Sequence, residues 1–188
     1  MALPFRNCSS SRLDQVVNSR VVCAFDFDGT LALPAAPSEK MHVPLGIVIR
    51  LLELSSYAPV ALISLRQRTD IHACLEFEPD FVLAYSQADT AMLSRLMNES
   101  GARSVIYVGN AVSDEDVFRL GRNDLLSVRI GHAPHSTAEF FLSHRLDLVQ
   151  LLDELNARLR RVHAENWFRR GAGVNQEREA GGKTLNGS

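Results

Sequence analysis

Long apolar runs are missing from this chain. None approaches the roughly 20 residues that a membrane-spanning helix needs, so the sequence predicts no membrane partner. The N-terminus, MALPFRNCSSSRLDQ, also lacks the apolar centre of a secretion signal. An excess of one charge is missing too. The formal net charge is −2, which gives no general pull toward nucleic acid or acidic lipid. Cysteine is sparse, and the three present, Cys8, Cys23 and Cys74, have no metal-ligand spacing. Cys23 and Cys74 stand in apolar surroundings and read as core thiols, which suits a reducing cytoplasm. There is no internal repeat. What the chain does have is a hydrophobic fraction of 46% over 188 residues, enough for one domain with a real core.

The most informative stretch is VVCAFDFDGTLAL, residues 21–33. Val21 to Phe25 read as a strand buried on both faces. The run then stops at Asp26-Phe27-Asp28-Gly29-Thr30. Two carboxylates at a strand end are costly unless water, a cation or hydrogen bonds receive them. Gly29 lets the chain leave the strand tightly. In open α/β sheets this is where ligands bind. Residues two apart in a strand face the same way, but the turn at Gly29 can separate Asp26 and Asp28 into a nucleophile and a proton donor.

Further strands are expected at 60–65 (VALISL), 81–85 (FVLAY), 104–108 (SVIYV) and 125–130 (LLSVRI). Between them lie a helix opened by Pro44, with Ile47, Leu51, Leu52 and Leu54 on its apolar face, and a short one over 66–75. A third helix carries Met92, Leu93, Leu96 and Met97 and is closed by Gly101. Ser113 can cap a helix running to Leu120, and a long last helix carries Leu148, Leu151, Leu152, Leu155, Leu159 and Val162. This alternation predicts a doubly wound, Rossmann-like parallel sheet. Residues 1–19 are expected to be loosely ordered, 20–170 to form the core, and 171–188 to be an unstructured tail.

Residues 26–30 resemble the first motif of the haloacid dehalogenase superfamily of phosphohydrolases, Asp-x-Asp-Gly-Thr. VIYVGNAVSDEDVFRL, LLSVRIG, TAEFFL and LLDEL are similar to the C-terminal half of trehalose-6-phosphate phosphatases, and VALISLRQRTDI to that family's second-strand motif. The resemblance implies an aspartyl-phosphate mechanism, with Asp26 as nucleophile and Asp28 as general acid, then base. It implies a phosphate site at Thr30, Ser64, Leu65 and Arg66. It also implies magnesium held by Asp26, Asp28 through its carbonyl, and the acidic segment of Asn110 and Asp114; hard oxygen donors without His or Cys suit that ion. The substrate would be a small phosphorylated molecule, a sugar phosphate.

The departures from the family pattern are as telling. Leu65 replaces a Gly, Asn110-Ala111 replace an Asp pair, and Ala88-Asp89 stand where the family has Lys-Gly. Losing one such stabiliser costs on the order of 10²–10³ in rate. No residues are left for the family's sugar-binding cap, so an open site is expected, with a second copy of the chain as one way to cover it. A degenerate phosphatase fold kept as a binding or regulatory module is the alternative. A phospho-receiver module ranks below both, because Arg129-Ile130-Gly131 stand where it would want a Lys. Glu115 and Asp116 also suit a helix N-terminus. The Arg-rich segment around Trp167, with Arg158, Arg160, Arg161, Arg169 and Arg170, reads as a solvated helix end. His132, His135 and His144 read as loop and surface residues.

Overall fold

The computed structural model describes residues 3–5, 10–32, 41–75, 77–84 and 90–181, and of the side chains not those of residue 10 or of residues beyond 167. Seven strands form one parallel sheet. They are β1 (Leu3–Pro4), β2 (Val21–Asp26), β3 (Val60–Ile63), β4 (Phe81–Leu83), β5 (Ser104–Gly109), β6 (Leu125–Ile130) and β7 (Phe140–Leu142), in the order β1-β7-β6-β5-β2-β3-β4. The helices are α1 (Ser10–Val16), α2 (Leu45–Ser55), α3 (Arg68–His72), α4 (Thr90–Ser100), α5 (Glu115–Phe118) and α6 (Asp147–Gly181).

The apolar run of β2 needs burial on both faces, and it gets it. Val21, Cys23 and Phe25 join a core with α1, α2, α3 and α6, whereas Val22 and Ala24 join a second core with α4, α5 and Tyr107. This is the two-residue period of a strand dividing its side chains between two layers. Leu148, Leu151, Leu152, Leu155 and Leu159 of α6 are all fully covered. On α2 the inward residues are Ile47, Val48, Leu51 and Leu54. Leu52, expected on that face, is instead 51% exposed in line with Leu45 and Ile49, because its spacing from Leu45 and Ile49 puts it on the opposite stripe. No helix among the described residues is long and apolar enough to cross a membrane.

The N-terminal segment departs from its expected looseness. Leu13, Val16 and Val17 are buried. The Arg12 guanidinium donates to both oxygens of Glu139 at 2.6 and 2.7 Å, and to the carbonyls of Asn123 and Leu125 at 2.9 and 2.7 Å. A serine-rich stretch looks irregular by composition, yet these long-range bonds pin it to the start of β6 and β7. At the other end, the helix backbone of α6 continues to Gly181, past residue 171 where the unstructured tail was expected. Once a helix is nucleated, each added residue needs only its own bond.

β2 pairs with β3 on one side and with β5 on the other, with Asp26 opposite Ile63 and Phe25 opposite Val108, and the chain leaves β2 toward β3 but leaves β5 toward β6. The carboxyl end of β2 is therefore flanked by two diverging connections, the crevice where open α/β sheets hold ligands.

Candidate active site at the end of the central strand

Beyond β2 the chain folds back at once. The amides of Leu31 and Ala32 donate to the Phe27 carbonyl at 3.1 and 2.9 Å, and Gly29 N–H donates to Ala32 at 3.1 Å. Gly29 sits at φ +82, and a Cβ there would clash with the Asn110 side-chain amide. Only glycine satisfies both constraints cheaply. The turn buries Phe27 and separates the two acids that flank it.

Asp26 stays at the strand end, partly buried, and accepts a hydrogen bond from the Thr30 hydroxyl at 3.0 Å. Burial first, then the charges of Asp114 and Asp28, push its carboxyl up to about 7, against the lowering effect of Thr30. Asp28 faces outward, its side chain 42% exposed. Both of its oxygens accept hydrogen bonds, from Ser64 Oγ at 2.8 Å and from Arg66 Nε at 2.6 Å. Ser64 Oγ also accepts from the Arg66 amide at 3.1 Å. The expected phosphate-binding pair is thus engaged with Asp28. Leu65, between them, is 71% exposed, so it lies at the rim of the site and does not fill it. Thr30 is fully buried and serves Asp26.

The third acid comes from the segment after β5, a 3-10 helix over Val112–Asp114. Asp114 is buried, with one oxygen accepting from the Tyr107 hydroxyl and the other from the Ala111 amide, both at 2.8 Å. Burial raises its carboxyl above the ordinary range, with these donors opposing. It folds back over Gly109, where a Cβ would collide with its carboxylate. Glu115 and Asp116 are not part of the cluster. Glu115 turns away to Arg129 and Thr137, and Asp116 pairs with Arg119. Burial alone would raise Glu115, but Thr137, Ser136 and Arg129 together hold it below the usual carboxylate range.

Three carboxylates therefore meet at the end of β2, and Arg66 pairs directly with one of them, Asp28. Among the described residues no group of three or more His, Cys, Asp or Glu is arranged to hold a metal ion, and both oxygens of Asp114 accept hydrogen bonds within the protein. The remaining set of the Asp26 carboxylate, the Asn110 amide oxygen and backbone carbonyls still fits magnesium, which takes one or two carboxylates and keeps several waters. Burial is the main cause that raises Asp26, and the repulsion from Asp114 and Asp28 that adds to it is what such a cation would relieve. Residues 88 and 89, where the motif lysine is absent, lie outside the described residues, as do residues 33–40.

Sequence reasoning missed four contributors: Tyr107, Arg129, Thr137 and Arg145. Arg145, from the loop after β7, donates to the Gly29 carbonyl, and its Nε and Nη1 are buried without partners among the described residues. Burial lowers the pKa of this guanidinium. Tyr107 and Arg129 did carry a signal, a polar group within an otherwise apolar strand, but their partners are set by tertiary structure alone.

No family model matches the sequence, and no curated protein matches it. Solved structures do match. Trehalose-6-phosphate phosphatase from Aspergillus fumigatus superposes with a TM-score of 0.62 at 13% identity, over 84% of this chain and 99% of that one. The 3-deoxy-D-manno-octulosonate 8-phosphate phosphatase of Moraxella catarrhalis, in complex with magnesium ion, phosphate ion and KDO, has a TM-score of 0.56 at 14% identity, over 82% and 97%. A putative HAD family hydrolase from Streptomyces avermitilis has a TM-score of 0.53 at 22% identity, over 74% and 84%. The fold is of the haloacid dehalogenase type. Within that fold, the sheet centre in this chain carries Asp26 and Asp28, with Asp114 packed beside Asp26.

Proposed function

We propose that this protein is a magnesium-dependent phosphomonoester hydrolase of the haloacid dehalogenase type, related to trehalose-6-phosphate phosphatases and working in the cytoplasm on a small sugar phosphate. One observation carries the reading: Asp26 is a partly buried acid at the carboxyl end of the central strand, steadied by Thr30 and crowded by Asp114 and Asp28. Such an arrangement costs stability and is the kind of strain found at functional sites.

In this reading a carboxylate oxygen of Asp26 attacks phosphorus, the bond to the ester oxygen breaks, and an aspartyl-phosphate forms on Asp26. Asp28 gives its proton to the departing oxygen. It then takes a proton from water, which attacks phosphorus and releases Asp26 as the carboxylate. Asp28 now accepts from both Ser64 and Arg66. An arriving phosphate dianion competes for those same donors and draws them off, and Asp28, released from them, takes up from solvent the proton it then gives to the departing oxygen. This joins the expected phosphate-binding role of Ser64 and Arg66 to the contacts they make in the free protein. Magnesium, held by Asp26, Asn110 and the Asp28 carbonyl, would neutralise the phosphate charge.

A second reading, a non-hydrolytic binding module, has its own support. Asn110 and Ala111 stand where two acids would strengthen cation binding, and Ser64 and Arg66 are occupied. Hydrolysis of an aryl phosphate with and without magnesium separates the two. Magnesium-dependent turnover that disappears in Asp26→Asn supports the hydrolase, because the amide is no nucleophile. Wild-type turnover in that variant would place the activity elsewhere.

A further inference from the structure

Arg129 stands near the end of a strand whose preceding residues, Leu125 to Val128, are buried. Its side chain is 13% exposed and that of its partner Glu115 10%. Nη2 donates to the Asn110 carbonyl at 2.7 Å. Nη1 donates to the Ala111 carbonyl at 3.1 Å and to Glu115 Oε1 at 3.0 Å. Glu115 is fixed in turn by the amide and hydroxyl of Thr137 at 3.0 and 3.1 Å.

The Asn110 carbonyl and the Ala111 N–H belong to one planar peptide. That peptide carries the Arg129 cation on its oxygen and the Asp114 carboxylate on its N–H, the latter at 2.8 Å. Its dipole lies along the field between the two charges, so it cannot rotate without breaking both bonds. Fixing this plane fixes the direction in which the Asn110 side chain leaves the backbone, and that side chain lies against Gly29.

A buried ion pair is weak evidence for stabilisation, since apolar residues of similar volume often serve as well. Among the described residues Arg129 also leaves its Nε buried without a partner. Its guanidinium is therefore not arranged to satisfy all its own donors; it grips two successive carbonyls of the segment that leads from β5 into the acidic cluster.

We propose that Arg129 is a positioning residue that acts through the 110–111 peptide, aiming the Asn110 amide at the Gly29 turn and the cation beside Asp26. The inference rests on the magnesium reading above. Two variants test it. Arg129→Lys keeps the charge beside Glu115 but has no fork for two carbonyls. The double variant Arg129→Met with Glu115→Gln removes the pair without stranding a buried charge.

In metal-free protein, amide exchange at Ala111 should quicken about tenfold or more in both variants, the loss of one charge-assisted bond, and the Asn110 side-chain amide signals should shift. Magnesium affinity by calorimetry should weaken about 10–100-fold, the usual effect of removing a residue that orients a ligand. Arg12→Met is the control. It removes a similar fork, on the carbonyls of Asn123 and Leu125, at the other end of β6, and should leave magnesium affinity at the wild-type level. Unchanged Ala111 exchange in both variants, or unchanged magnesium affinity, overturns the proposal. If wild-type protein takes up no magnesium, the metal reading fails instead, and the Ala111 and Asn110 signals alone decide whether Arg129 positions this segment.

Discussion

Replacing Asp26 by Asn should abolish hydrolysis and, in the absence of magnesium, stabilise the protein. The reason is electrostatic. Folding moves the Asp26 carboxyl from the ordinary 3.8 to about 7, chiefly by burial and then by the neighbouring Asp114 charge. The folded state therefore holds a proton that the unfolded chain has already lost. Stability from this group is fully present below the unfolded value and drains away as pH rises toward 7. At about 1.4 kcal/mol per pH unit, the ceiling is about 4 kcal/mol at pH 8, and solvent reaching the site reduces it to roughly 2–4 kcal/mol. Asn keeps the shape and can still accept from the Thr30 hydroxyl, but has no charge to bury. Urea unfolding in EDTA at pH 8 should show the variant more stable by that amount, and the gap should shrink below about 1 kcal/mol at pH 4. Saturating magnesium should raise the wild type alone, by about 2.7 kcal/mol at a hundred times its dissociation constant. A variant less stable than wild type at pH 8, or a gap that ignores pH, would refute the account of the acidic cluster.

Gly109→Ala should lower stability by about 1–3 kcal/mol through overpacking and reduce turnover, since its Cβ would displace the Asp114 carboxylate; an unchanged unfolding midpoint would contradict that geometry. Arg66→Met should cut kcat/KM by about 10²-fold yet leave thermal stability nearly unchanged, because an exposed pair contributes at most about 1 kcal/mol. A large drop in Tm with normal kinetics would make Arg66 a structural residue. Trehalose 6-phosphate should be hydrolysed little better than glucose 6-phosphate, since the sequence leaves no residues for a sugar-binding cap that would read a second sugar. A ratio of kcat/KM values of about 10³, roughly 4 kcal/mol, would show that disaccharide recognition resides elsewhere in the protein.

The sheet was largely legible because its central strands are long enough to display a pattern. β6 runs over the residues its apolar run predicts, and β5 is longer by Gly109 alone. β1 and β7, at two and three residues, are too short to show any period. Their pairing is decided by what lies beside them. The site divides in the same way. Asp26 and Asp28 stood out because carboxylates that end an apolar run need a reason. That Ser64 and Arg66 would hold Asp28, or that Arg129 would grip the carbonyls of Asn110 and Ala111, depends on contacts across 18 to 38 positions of chain. Such contacts leave no trace in spacing. Asp114 was legible as an acid beside the site, but its bond to Tyr107 was not, since an aromatic in a strand is read first as packing.

Cys23 lies at the middle of the central strand, fully buried, with its thiol pushed up to about 12 by burial. The thiolate is the species that reacts, so a labelling reagent meets this sulfur only after the strand itself has parted from its neighbours. Loops around the catalytic turn can open and close many times without exposing it. The rate of Cys23 modification, followed by mass on the intact chain, thus times the rupture of the whole sheet, separately from any motion that admits a substrate.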